Sequence, residues 1–423
     1  MVKTKLVLLL VILGILPVTL ISQNINTSSP YTQYGYGQLS DPSFGAQRGM
    51  GGIGYGLRKS ETINALNPAS YSAVDSMTFM LDFAVEGQVA WFEQGTEKSK
   101  RYTAGLEYIA MQFPLAKKLG MGIGLSPVSY VGYKFKNLEY VKELDQDVAT
   151  YYTGKGGLNK VYGTLSYSFF DRLSVGANVG YLFGEIIRDK YTLPTSSSHR
   201  LTWNDTIRTS AVVYEFGLQY RIPLKKKNEI VIGAVYAPKT RIPTRVMHGE
   251  IAYQGNEITG DPYFNSTRDS VFQMPETYSF GISYSKLNKL TVGADFQYQR
   301  WEDAKFFNTT DSLTNRMKIN LGVEYIPNNM ASNIFSKIRY RLGGYYTNSY
   351  VEVDNKYGYK DYGFTLGFGI PLMDRRSFVN MAFEYNIISP EKRPNAIMVD
   401  EKYFRFTLSY TFNELWFFKR KLQ

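Results

Sequence analysis

Phe404, Phe406, Leu408, Tyr410 and Phe412 alternate with Arg405, Thr407, Ser409 and Thr411. Tyr362, Phe364, Leu366, Phe368 and Ile370 alternate in the same way with Gly363, Thr365, Gly367 and Gly369. Successive side chains of a strand point to opposite faces. These segments therefore have one large apolar face and one small or polar face. A barrel in lipid requires that arrangement, apolar outward and polar inward. Fourteen such segments follow residue 76, near 77–91, 101–114, 119–134, 158–170, 172–188, 208–222, 229–241, 274–286, 289–302, 315–327, 337–349, 360–372, 377–389 and 401–413. Short connections such as "AKK" and "FDR" alternate with long ones near 92–100, 135–157, 189–207, 242–273, 303–314, 350–359 and 390–400. Outer-membrane barrels have short periplasmic turns and longer external loops. An even strand count puts both ends of the barrel on the periplasmic side. No run of eighteen apolar residues occurs beyond residue 22, as a spanning helix would need. In hydrocarbon a sheet must close to pair its backbone. A soluble sandwich would instead bury the aromatic faces between two packed sheets. The expected fold class is all-β, a 14-stranded antiparallel transmembrane β-barrel.

Lys3 and Lys5 precede an apolar run from Leu6 to Ile21, followed by Ser22 and Gln23. This reads as a signal peptide over 1–22, with the outer membrane of a Gram-negative cell as the destination. The chain has no cysteine, which excludes disulfides, thiolate metal sites and a lipidated N-terminus. The net charge is +11. Export and the scatter of Lys and Arg argue against nucleic acid as a partner, and the basic residues suit turns that face membrane phosphates.

Residues 23–76 precede the first strand and do not alternate. Gly176, Gly180, Gly217, Gly281, Gly293, Gly322, Gly363, Gly367 and Gly369 fall on the inward face. A fourteen-strand barrel is wider than its own side chains fill. The reading is an N-terminal plug over 23–76 inside a barrel over 77–423. Asn67-Pro68 predicts an extended residue followed by a turn. By parity Asp82, Glu86, Glu107, Glu215, Asp295, Glu324, Glu384, Arg339, Arg341 and Arg405 also point inward, either as salt bridges that hold the plug or as anchors for a ligand carboxylate. Pro127 stands in mid-strand after Ser126, and proline cannot donate to a sheet ladder.

"AQRGMGGIGYGLRKSETINALNPASYS", residues 46–72, resembles the hatch of the FadL family of outer-membrane transporters for long-chain fatty acids and other hydrophobic compounds, in a Bacteroidetes-like form. The matching residues are Arg48, Gly49, Gly51 and Gly52 in the Gly-rich part and Asn67, Pro68 and Ala69 in the tripeptide. The resemblance implies a lumenal plug, a kink in the third strand at Ser126 and Pro127 that opens the wall sideways, and passive passage of a hydrophobic ligand into the bilayer. Arg48, Arg339, Arg341 and Arg405 are the candidate anchors for a ligand carboxylate. The implied partners are a hydrophobic small molecule and outer-membrane lipid or lipopolysaccharide. A branch of this barrel family serves protein secretion, so the alternative is a structural or shuttle subunit of a secretion or assembly machine, with outer-membrane protein partners.

No catalytic, metal or cofactor motif emerges, and no enzyme activity is expected. His199 and His248, the two histidines, fall in segments read as external loops. "GMGGIG" lacks the strand-to-helix setting of a nucleotide site. Tyr346 reads as part of an aromatic girdle, whereas Tyr31, Tyr34 and Tyr36 precede the plug and have no such role.

Overall fold

The computed structural model describes residues 29–142, 145–194, 199–286, 289–307, 313–352, 358–374, 376–391 and 398–416. The expected signal peptide and residues 23–28 lie outside these. A short strand, β1 (Gln38–Leu39), precedes the barrel. The wall comprises β2 (Thr78–Gln94), β3 (Glu97–Ala116), β4 (Leu119–Val141), β5 (Gln146–Phe169), β6 (Leu173–Pro194), β7 (His199–Pro223), β8 (Glu229–Ala237), β9 (Thr240–Gln254), β10 (Glu257–Ile258), β11 (Tyr263–Met274), β12 (Glu276–Lys286), β13 (Leu290–Arg300), β14 (Arg316–Tyr325), β15 (Arg339–Asn348), β16 (Tyr359–Pro371), β17 (Phe378–Pro390) and β18 (Asp400–Leu415). β8 continues into β9 past Pro238, and β11 into β12 past Pro275, so each pair forms one wall strand. Counted so, and with the small β10 hairpin set aside, the barrel has 14 antiparallel strands. β18 pairs with β2 from Asp400↔Glu93 to Leu415↔Thr78 and closes it.

The alternation has its expected consequence. Val179, Tyr181, Val212, Tyr214, Phe216 and Leu218 are exposed on the outer face, where lipid covers them. Ser166, Asn178, Gln219, Ser283 and Thr365 are buried on the inner face. Phe79 stacks on Trp416 with ring centroids 4.4 Å apart, an aromatic pair at the short-turn end.

The long connections differ from expectation. Most of 135–157, 189–207 and 242–273 is strand, as β4 to β7, β9 and β11 run on past the apolar band. On β6 and β7 that band ends at Phe183 and Val212. The next outward pair, Glu185 and Arg208, is ionic. A spanning strand needs about 9–11 residues, whereas β5 has 24 and β7 has 25. At about 3.3 Å per residue the surplus lifts a curved sheet of β4, β5, β6, β7, β9 and β11 well clear of the bilayer. β13 to β17, at 10 to 13 residues, stop near its surface.

Residues 29–74 pack against the inner face of the wall at the contacts that follow. Glycines on the wall admit the chain at backbone distance. A Cβ on Gly343 would lie 2.1 Å from the Gly51 nitrogen, and one on Gly367 would lie 2.7 Å from the Gly49 Cα. Above this contact an aromatic cluster of Tyr36, Phe272, Trp301 and Tyr350, with Val131, Ile207 and Val246, fills the lumen toward the long-loop end.

Candidate functional site: a plugged chamber beside an unpaired seam

The Gly-rich part of the plug turns on Gly51 and Gly52, both at positive φ, where L side chains are strained. The preceding residue group holds Arg48, which is buried. Its guanidinium pairs with Glu86 of β2 and, at 2.6 Å, with Glu107 of β3, and its Nε donates to the Ser43 carbonyl. Asp295 of β13 accepts from the Gly54 and Tyr55 amides at 2.6 and 2.9 Å.

Asn67 is fully buried and extended, with φ −127° and ψ 112°, and Pro68 opens a 3-10 turn after it. Its Oδ1 accepts from the Ala69 amide, while Nδ2 donates to the Tyr55 and Leu218 carbonyls. One amide side chain thus caps the turn, crosses the plug and grips β7. Ala69 is wholly buried, and Ser166 of β5 donates to its carbonyl.

The other candidate anchors are engaged. Arg339 pairs with Glu61 of the plug, Arg341 with Glu324 at 2.7 Å, and Arg405 with Glu384 at 2.6 Å. Lys59 also pairs with Glu324, and Lys318 with Asp41. The Arg339–Glu61, Lys59–Glu324 and Lys318–Asp41 pairs stitch plug to wall, whereas Arg341–Glu324 and Arg405–Glu384 join neighbouring wall strands.

Between plug and wall remains a chamber of about 260 Å³. Leu39, Leu66, Val213, Val235 and Trp301 supply apolar lining, and Asp41, Glu215 and Asp361 supply charge. Arg316 of β14 also lines it and donates to the Gln299 amide oxygen at 3.1 Å. Among the described residues no carboxylate lies within 4.0 Å of Arg316. Sequence reasoning missed it, although it shares the inward parity of Lys318 and Glu324.

The chamber reaches Ser126, Pro127, Val128 and Tyr130. Here β3 and β4 separate. Their pairing ends at Ile109↔Leu125, and β4 bulges against β5 between Pro127 and Ser129. Ile109 is level with Phe83 of β2, within the apolar band. The freed edge of β4 is met from inside by β1, through Gln38↔Tyr130 and Leu39↔Ser129. Ser40 donates to the Val128 carbonyl, and the Thr32 hydroxyl bonds both the amide and the carbonyl of Gly132. The plug therefore supplies the pairing that β3 withdraws.

Both histidines stand on strands, not loops. His199 begins β7, and His248 lies on β9 above the apolar band. His248 bonds Asp205 at 2.5 Å and Glu250 at 2.9 Å. The hydrogen bond to Asp205, followed by that to Glu250, raises its pKa above the ordinary 6.5. A raised folded-state pKa contributes stability fully below the unfolded value and loses it as pH rises through the folded value. Protection factors of the amides of residues 205–207 and 246–250, corrected for intrinsic base catalysis, are expected to fall between pH 6 and pH 9, and His248→Gln to abolish that fall.

The closed, fourteen-stranded antiparallel wall is the fold shared by several outer-membrane barrels of known structure. The fold resembles a FadL homologue of Pseudomonas aeruginosa, with TM-score 0.65 and 13% identity over 89% of this chain and 99% of that one. It also resembles the Pseudomonas putida toluene transporter TodX, with TM-score 0.63 and 17% identity over 90% and 100% of the two chains. The Ralstonia pickettii toluene transporter TbuX follows at TM-score 0.57 and 16% identity over 87% and 97%. No curated protein matches by sequence. The chain belongs to the BamG family, whose model matches residues 1–423.

Proposed function

We propose that this protein is an outer-membrane channel, with its short turns periplasmic, that passes small amphiphiles passively between its chamber and the bilayer. One observation carries the reading: the chamber lining runs without interruption to Pro127 and Val128, where β3 and β4 part at membrane depth. The mixed lining suits a molecule with an apolar body and an anionic head. At about 260 Å³ the chamber falls just below the usual range for ligand pockets, about 300–1,000 Å³, which favours a compact ligand over a long acyl chain. Arg316 is the receiving cation. A hydrogen bond to a charged group contributes about 1.5–3 kcal/mol. Arg316→Gln is therefore expected to weaken octanoate binding at least about ten-fold while leaving toluene binding unchanged, as read by calorimetry in detergent and by uptake into proteoliposomes. Octanoate uptake no faster than in protein-free vesicles would sink the reading.

The sheet that rises beyond the band favours a second reading, a subunit of an outer-membrane secretion or assembly machine. That sheet offers a large ordered surface to a protein partner, and ion pairs hold the plug against the wall. Native mass spectrometry from gentle detergent separates the two. A stoichiometric protein partner with a ligand-free barrel supports the second, and a retained amphiphile supports the first.

A further inference from the structure

Two neighbouring turns at the short-turn end carry large apolar side chains into water. Met330, Ile334 and Phe335 are 79%, 49% and 66% exposed on the connection 326–338, and Met373 is fully exposed on the turn after β16. The register sets them side by side: Arg339 pairs with Gly369, so the chain entering β15 and the chain leaving β16 emerge together. The Ile326 amide donates to the Lys289 carbonyl, which joins the β12–β13 turn to the group.

The connection 326–338 is built, although it is the longest at this end. The Asn328 amide donates to Ser336, and those of Lys337 and Ile338 donate to Ile334. Asn328 and Asn333 side chains accept from the Met330 and Phe335 amides. The Tyr340 hydroxyl donates to the Phe335 carbonyl. None of these bonds uses the three apolar side chains, so burial within the chain does not explain them.

Lipid does not explain them either. Tyr325 and Tyr340 face each other across β14 and β15 on the outer wall, at the level where an aromatic girdle marks the end of the hydrocarbon. Residues 326–338 lie beyond that pair. Among the described residues the cations on these turns are Lys286, Lys289, Lys337 and Arg376. The acid on these turns among the described residues, Asp374, accepts from the Arg376 and Ser377 amides and the Ser377 hydroxyl of its own turn.

We propose that this knob docks a periplasmic protein that presents an apolar pocket with an acidic rim. Exposed apolar patches rimmed by polar groups mark interaction sites, and rim charges set partner choice. The proposal rests on the orientation that both functional readings share. Labelling of Phe335→Cys by a membrane-impermeant maleimide in intact cells would refute the orientation alone.

The docking test places p-benzoylphenylalanine at position 335. It is irradiated in cells, and also in the purified barrel in phosphatidylethanolamine–phosphatidylglycerol vesicles. One discrete protein adduct is expected in cells and none in vesicles. The same adduct is expected with the probe at position 330. Changing Lys289, Lys337 and Arg376 together to Glu should reduce it at least about ten-fold. Reversing Lys225, Lys226 and Lys227 on a distant turn should leave it unchanged. A melting temperature unchanged by the triple substitution excludes misfolding as the cause. Lipid adducts in both settings, an adduct of twice the barrel mass, no adduct, or a protein adduct indifferent to the charge reversal would each overturn the proposal.

Discussion

Arg48→Met undocks the plug. Arg48 is the only cation bound to both Glu86 and Glu107 among the described residues, and all three side chains are largely buried. Removing one partner of a buried ion group costs about 3–5 kcal/mol, because the remaining charge is left uncompensated. Here Glu107 is left with the Tyr130 hydroxyl, and Glu86 with the Thr407 hydroxyl and Arg405 at 3.8 Å. The expected result is loss of hydrogen-exchange protection over residues 45–57 and frequent openings in single-channel recordings, with the wall strands still protected. Arg48→Met combined with Glu86→Gln and Glu107→Gln is expected to recover much of the closed state, since replacing a whole buried ion group is often close to neutral. If the triple variant opens as often as the single one, then Arg48 acts through shape and not charge.

The contrast between wall and plug shows what alternation can and cannot reveal. Strand β18 was legible because one face meets lipid and the other meets the lumen, so Phe404 to Phe412 repeat without a break. Residues 135–157 and 189–207 read as loops although most of them are strand. Above the bilayer the outer face meets water, and Glu185, Arg208, Asp189 and Asn204 take the places that apolar residues hold below. With both faces partly polar, the period of two disappears from the hydropathy. The inward charges were legible by parity, but their partners were not. Nothing local in the sequence links Arg48 to Glu107 or Arg339 to Glu61, since those pairs form only when the plug is threaded. Arg316 was within reach, because "RMKINLGVEY" alternates cleanly. What distinguishes it, a cation facing space instead of a carboxylate, exists only in three dimensions. The apolar knob at 326–338 has no period at all, and its order comes from backbone bonds that composition does not record.

Asn67 is the second point where a single side chain holds the plug, and its chemistry separates donors from acceptors. Asn67→Ala leaves the Ala69 amide and the Tyr55 and Leu218 carbonyls without this partner in a fully buried place. Unsatisfied buried groups cost about 1–3 kcal/mol each. Other bonds ease part of this, since Gln219 also donates to Tyr55, so a net loss of about 2–4 kcal/mol is expected. Asn67→Asp keeps the acceptor for Ala69 but turns a carboxylate oxygen toward two carbonyls. The site is tight as well, for a Cβ on Gly217 would lie 2.2 Å from Asn67 Oδ1. Asn67→Asp is therefore expected to be at least as damaging as Asn67→Ala at pH 7.5. It should recover as pH falls and the carboxyl gains a proton it can donate, whereas Asn67→Ala should not. Urea unfolding in detergent, followed at both pH values by exchange protection over 54–72, reads the difference. Asn67→Asp as stable as the unsubstituted protein at pH 7.5, with Asn67→Ala still destabilised, would mean that Asn67 serves the turn at Pro68 alone and does not clamp the plug to β7.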